Sequence, residues 1–240
     1  WNAFRLVKGW TVDETIEQPE ASATAIRWFK MQLDKTIAEV DDSFGKYRLS
    51  EAMMAVYKLF WDEFSSWYLE LVKPGYQQPV DKFTYEETLG FFDDLLKLLH
   101  PFMPFITEEL WQATYTRKEG ESIMMERMPQ PGAVDNSFLE AFEIVKEIIA
   151  GVRAVRLQKN IPNKEPLTLE VLGEHNDRFN PVIAKMCNLT EIVRVEEKAV
   201  GAGSFLVRTT EYAVPLGSML NVEEELAKLN EELTYQIGFR

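Results

Sequence analysis

Apolar residues in the first half of the chain recur at spacings of three and four. Between residues 20 and 42, Ala25, Trp28, Phe29, Leu33, Ile37 and Val40 keep that step, which predicts an amphipathic helix turning this face to a core. Residues 50–72 predict a second helix. Met53, Val56, Tyr57, Phe60, Phe64, Trp67, Tyr68 and Leu71 make its apolar face, Ser50 stands where an N-cap belongs, and Pro74-Gly75 stops it. A third helix opens on the capping box Thr84-Tyr85-Glu86-Glu87 and runs through Leu95, Leu96, Leu98 and Leu99 to His100-Pro101. Pro104 and Thr107-Glu108-Glu109 start a short fourth helix with Leu110 and Trp111. Residues 1–7 read as the last turns of a helix already under way, so the chain is expected to be part of something longer. The expected unit is a helical bundle over residues 1–115.

Gly120, Pro129, Pro131 and Gly132 mark residues 116–136 as a linker. A further capping box, Ser137-Phe138-Leu139-Glu140, opens a helix reaching about Leu157. After Ile161-Pro162 the period shortens to two. Residues 167–171, 191–195 and 205–208 alternate like half-buried strands, and a helix is expected at 178–187. Residues 137–220 therefore predict a small α/β subdomain, and the chain as a whole is mainly α. In residues 221–240, Val222, Leu226, Leu229, Leu233 and Ile237 step by four, three, four and four, a heptad seam behind the cap Asn221.

The 240 residues are 46% hydrophobic and 12% aromatic, ample for a packed core, and at this length roughly 70 to 75% of the unfolded surface can be buried. Disorder is excluded. Cys187 is the single cysteine and the two histidines stand far apart, so neither an internal disulfide nor a structural metal is expected, and the chain reads as cytoplasmic. No apolar run reaches the length of a membrane span. The formal net charge of −13 argues against a nucleic-acid partner when taken whole. Its distribution changes that picture. Successive sixty-residue blocks carry −1, −6, −3 and −3, and two basic stretches survive: Arg5 with Lys8 near the start, and Lys146, Arg153, Arg156, Lys159 and Lys164 against Glu147 alone. Arg153 and Arg156, three apart on one helix, share a face as a phosphate-positioning pair would; pairing with bundle carboxylates is the equal alternative.

Catalytic motifs are missing from the sequence: no Gly-rich phosphate loop and no Ser or Cys nucleophile in a recognised arrangement with histidine. The acidic doublets, among them Asp93-Asp94 and Glu108-Glu109, are expected on solvated helix faces. Trp61, Phe64, Trp67 and Tyr68 could form a base-stacking platform, but their helical spacing favours core packing.

The run His100-Pro101-Phe102-Met103-Pro104-Phe105-Ile106-Thr107-Glu108-Glu109-Leu110-Trp111-Gln112 resembles the signature of the anticodon-binding domain in class I aminoacyl-tRNA synthetases of the branched-chain group, most closely the valyl family. Three other segments agree in order and spacing: residues 1–7, residues 61–70 and Glu121-Ser122-Ile123-Met124-Met125. The resemblance implies a helical-bundle anticodon-binding domain, then the α/β subdomain, then the first helix of a coiled-coil arm. It implies a parent enzyme that joins valine to its tRNA with ATP and edits mischarged tRNA, while this stretch, lacking the catalytic motifs, holds no cofactor and only binds. The expected partner is tRNA, the expected state a monomer without membrane association.

By the same resemblance, Asn2, Ala3, Phe4, Arg5 and Leu6 match a segment that contacts the anticodon loop. Arg5 would bind a base or phosphate, while Leu6 stands where relatives place an aromatic stacking residue. The candidate RNA-binding residues are thus Asn2, Arg5, Leu6, Lys8, Arg153 and Arg156, and the most acidic block should face away from RNA. The same domain of an isoleucyl or leucyl enzyme, or a helical protein-interaction adaptor, remains as an alternative. The seam at 221–240 lacks a partner helix, so it is expected to fray or to rest on another molecule. Hydrogen exchange in a dilute monomer should show weak protection over residues 226–237; strong protection there would refute this.

Overall fold

Helix α2 (Glu20–Gly45) organises the bundle, because the six apolar residues that predict it are all buried, Trp28, Phe29 and Leu33 completely. The computed structural model describes residues 1–216; the heptad seam at 221–240 lies outside them. Two compact units divide between Glu143 and Ile144. In the first, α1 (Asn2–Lys8), α2, α3 (Leu49–Lys58), a π-helical segment (Leu59–Tyr68), α4 (Leu69–Val72), α5 (Lys82–Leu99) and α6 (Pro104–Thr114) make the bundle. A parallel pair of two-residue strands, β1 (Val12–Asp13) and β2 (Val80–Asp81), ties the chain before α2 to the start of α5.

The second predicted helix is one rod with two registers. Between Leu59 and Tyr68 the turn widens, and Ser65 and Ser66 each donate a hydroxyl to the carbonyl five residues back, Phe60 and Trp61, at 2.9 Å. Residues at spacings of four drift by about 40° per step on an α-helix. The wider turn lessens that drift for the row Phe60, Phe64 and Tyr68. Phe64 and Tyr68 are fully buried, with ring centroids 5.3 and 4.9 Å from Phe29. The Tyr68 hydroxyl, which burial pushes well above its ordinary pKa, meets Thr88 Oγ1 at 2.8 Å. The rest of the expected apolar face is split. Met53 and Tyr57 are exposed, and Trp61 is 60% exposed with its ring parallel to Tyr57 at 6.3 Å, so the expected aromatic core cluster holds for Phe64 and Tyr68 and fails for Trp61.

The helix starts differ from the three expected caps, each time because a residue upstream arrives first. Helix α3 begins at Leu49, where the Arg48 carbonyl accepts the amides of Glu51 and Ala52, and Ser50 makes no capping bond. Asp81, not Thr84, caps α5: its carboxylate accepts the Thr84 amide at 2.8 Å, leaving Thr84 buried inside the helix. In α7 (Asn136–Gln158) the amide of Phe138 and the hydroxyl of Ser137 both donate to Asp135 Oδ1.

Residues 116–136 are part of the first unit rather than a free linker. Ile123 is buried within a 3₁₀ turn (Ile123–Met125), and Gly132 passes so near α2 that a Cβ would stand 2.7 Å from the buried Asp34 carboxylate. The expected boundary before residue 137 moves accordingly: Phe142 stacks on Trp28 at 4.5 Å, and the division falls within α7.

The second unit carries a four-stranded sheet in the order β4-β3-β6-β5. Strand β3 (Leu167–Leu172) runs parallel to β4 (Leu189–Arg194) through the helix α8 (Asn180–Cys187) and antiparallel to β6 (Thr210–Val214), which pairs with β5 (Gly203–Val207). All three predicted strands are present. Strand β6 was not legible because Tyr212, Ala213 and Val214 are buried in succession, without the alternation that marks a half-exposed strand. Helix α7 reaches the sheet through glycines. A Cβ at Gly151 would lie 2.2 Å from the Phe205 ring, and one at Gly203 would lie 2.7 Å from Val155 Cγ1. Gly151→Ala should therefore destabilise the second unit by about 1–3 kcal/mol through overpacking, despite the better helix propensity of alanine. Chemical denaturation of the two proteins checks this; a gain in stability would contradict the close approach.

Candidate nucleic-acid interface

Helix α1 sorts its seven residues by side. Val7 is buried, and Phe4 sits half-buried with its ring 6.1 Å from Phe92 of α5, so these two anchor the helix. Asn2, Arg5 and Leu6 are three and four apart and all exposed, Leu6 at 43%. Trp1 meets Phe4 edge to face at 6.0 Å, and the Arg5 guanidinium lies 5.9 Å from the Trp1 ring. An amide, a guanidinium, an exposed leucine and an indole thus stand together around one turn. That combination can hydrogen-bond a base edge or phosphate while offering apolar surface to a base. Lys8 is exposed but engaged: its ammonium donates to the Thr114 carbonyl at 2.9 Å, at the C-terminal end of α6. A cation is favourable there, because the end of a helix carries partial negative charge.

The run from His100 to Gln112 holds α6 and the following segment on the bundle. His100 Nδ1 meets Thr107 Oγ1 at 2.8 Å, and Pro104 occupies the first turn of α6, where its missing N–H costs nothing. Leu110 and Trp111 enter the core while Phe105 remains 90% exposed. Glu108 accepts from Gln112 Nε2, the Ser122 hydroxyl and the Ile123 amide at 2.8, 2.7 and 3.1 Å. Desolvation opposes its ionisation, but these bonds, with the nearby His100, outweigh it and hold the carboxyl below its ordinary pKa. Asp93 likewise bonds Lys97 at 2.7 Å and Arg117 at 2.8 Å, and the Arg117 guanidinium carbon lies over the Trp111 ring, 3.5 Å from its centroid. Glu108 and Asp93 therefore correct the expectation that the acidic doublets are simply solvated: each bonds residues brought from further along the chain.

The two arginines of α7 part company. Arg153 is exposed, whereas Arg156 is 4% exposed and its guanidinium donates to main-chain carbonyls of Pro162 at 2.9 Å, Glu165 at 2.8 Å, Cys187 at 2.7 Å and Asn188 at 3.4 Å. Burial lowers its pKa somewhat, with Cys187 and Glu165 acting in the opposite sense. At position 156 both expectations are corrected, since the guanidinium is taken up by main-chain carbonyls rather than by a phosphate or by bundle carboxylates. Arg156 fastens the loop after α7 and the end of α8. Helical spacing placed the two residues on one face, but only the fold shows which carbonyls cover that face at position 156.

Residues 26–171 match the model of the anticodon-binding domain of tRNA ligase, and the chain belongs to that family. It is 78% identical over 239 residues to the valine-tRNA ligase of Parabacteroides distasonis, 65% identical over 240 residues to that of Phocaeicola vulgatus, and 31% identical over 250 residues to that of Enterococcus faecalis. These alignments cover 100%, 100% and 97% of this chain, which spans only 27%, 27% and 28% of the relatives' lengths. The signature at residues 100–112 and both arginines of α7 fall inside the matched span; α1 precedes it. Among the described residues, no helix is long and apolar enough to cross a membrane.

Replacing Arg156 by Met keeps its length and leaves the carbonyls without a donor. The variant should lose about 2–4 kcal/mol of stability, in line with the cost of orphaning buried acceptors of a charged partner. Thermal unfolding measures this, and an unchanged melting temperature would mean that water or another donor replaces the guanidinium.

Proposed function

We propose that this chain is the tRNA-reading part of a valine-tRNA ligase, and that it recognises the anticodon end of its tRNA rather than performing chemistry. The observation that carries the reading is 78% identity, along all of the chain, with an enzyme of that name. In the whole enzyme, valine would be activated with ATP and joined to tRNA elsewhere, and the binding energy gathered here would select the tRNA on which that chemistry is spent.

The surface of α1 suits this role. Anticodon bases are unstacked and present their edges and faces, which is how single-stranded RNA is read in sequence-specific fashion. Arg5 can donate two parallel bonds to a base edge or a phosphate, Asn2 can donate and accept, and Leu6 covers a base face without stacking on it. Trp1 and Arg5 supply the flat surface that Leu6 lacks. Lys8 contributes charge near this face while holding α1 to α6. The partner is tRNA, the expected working state is a monomer, and the expected place is the cytoplasm.

Titration with a valine tRNA anticodon stem-loop, and with one whose anticodon is replaced, should show tighter binding of the first at both low and moderate salt. Equal binding of the two would remove the anticodon-reading role. Arg5→Ala should weaken binding of the matched RNA by about 1–3 kcal/mol, the usual worth of a good contact to a base edge, with folding unchanged.

A further inference from the structure

In the first unit a cleft of about 800 Å³ opens between one side of α6 and the 3₁₀ turn at Ile123–Met125. Phe105, Glu108, Glu109 and Gln112 share that side of α6 through spacings of three and four, and His100, Ser122 and Met124 close the cleft from before and after the helix. Among the described residues that line it there is no Lys or Arg.

The side-chain hydrogen-bond donors of this lining are already used. Gln112 Nε2 donates to Glu108 Oε1 at 2.8 Å and to the Glu121 carbonyl at 2.6 Å, and the Ser122 hydroxyl donates to Glu108 Oε2 at 2.7 Å. Thr107 gives its one hydroxyl proton to the Met103 carbonyl at 2.8 Å, so its oxygen accepts from His100 Nδ1, and the neutral imidazole is left with its lone pair on Nε2. Acceptors remain: Gln112 Oε1, His100 Nε2 and the exposed carboxylate of Glu109, which makes no ion pair among the described residues. Glu108 adds a second negative charge. Its donors, Gln112, Ser122 and the Ile123 amide, are all neutral, so they satisfy its oxygens without cancelling the charge, and it stays ionised at neutral pH. Such a lining repels anions and suits a ligand that brings both donors and positive charge. The rest of the cleft is apolar. Phe105, 90% exposed, offers a ring face, and the exposed Met124 offers a thioether. A ring face attracts a cation, and both side chains accept a methylene chain.

We infer that this cleft is a binding site for a linear alkylamine cation of the diamine or polyamine class. One ammonium donates to the Glu109 carboxylate, with Gln112 Oε1 and His100 Nε2 as acceptors for its other two hydrogens, and the methylene chain lies against Phe105 and Met124. A phosphate or carboxylate ligand would meet two like charges and no free donor. The site uses neither Asn2 nor Arg5, so it stands apart from the tRNA-reading role proposed above.

The test is a titration of the ¹⁵N-labelled 240-residue chain with 1,5-diaminopentane, run beside pentan-1-ol and beside ammonium chloride at matched ionic strength. The diamine should give saturable shifts of the Gln112, Ala113, Ser122 and Met124 amides, and neither control should. E109Q, at an exposed position, should raise the dissociation constant about tenfold, while E109D stays within about threefold of the unmodified chain. F105A should raise it about two- to fivefold, the worth of an exposed cation–ring contact. Shifts that fail to saturate, that spread equally over the other acidic helix faces, or that ammonium chloride reproduces would reduce the effect to charge screening and overturn the site. An unchanged dissociation constant in E109Q would overturn it as well.

Discussion

The first unit depends on the burial of Phe29. Its ring is met by Phe64 and Tyr68 from the π-helical segment and by Phe91 from α5, with centroids 5.3, 4.9 and 5.0 Å away, so one side chain of α2 fastens two other elements. Full burial of such a ring contributes about 1.5–3 kcal/mol, and aromatic pairs add about 0.5–1.5 kcal/mol each. The same cluster continues to the outside. Phe92, beside Phe91 on α5, packs on Phe64 and receives Phe4 of α1, so the helix that presents Asn2 and Arg5 is seated on the core through a chain of rings. Lys8 and the Thr114 carbonyl give α1 a second attachment.

That seating bears on the proposed role, in which a chain of net charge −13 would offer a surface to RNA. Binding a polyanion requires positive charge at the contact, not over the whole molecule. In the acidic stretch after residue 61, several carboxylates carry structural duties. Asp93 holds Lys97 and Arg117, Glu108 holds the segment at Ser122 and Ile123, and Asp81 caps α5. In the second unit the relation is reversed. Arg156 is a cation whose structural duty is done with main-chain carbonyls.

Much of the fold was legible in the residues. The apolar row of α2 is buried throughout, the strands at 167, 191 and 205 are where alternation placed them, and the signature at 100–112 pointed to the family that residues 26–171 match. Asn2, Arg5 and Leu6 were candidates by resemblance alone, and the structure adds that all three are exposed on α1. Strand β6 escaped because a fully buried strand loses its period of two. The widened turn at Leu59–Tyr68 escaped because serine hydroxyls reaching five residues back leave no distinct mark on an apolar pattern.

Helix and strand periods are properties of neighbouring residues, so the sequence by itself determined most of the helical segments, three of the four strands of the larger sheet, and that the chain resembles an anticodon-binding domain. The fate of single polar side chains depends on what arrives from far along the chain, and that was decided only in the tertiary structure. Ser50, Thr84 and Ser137 all stand where caps are expected, yet Arg48, Asp81 and Asp135 start those helices. Arg153 and Arg156 are alike in type, charge and helix face. One faces solvent and the other is buried, because carbonyls from residues 162, 165, 187 and 188 fold over position 156, and a guanidinium satisfies them better than water can in a closed space.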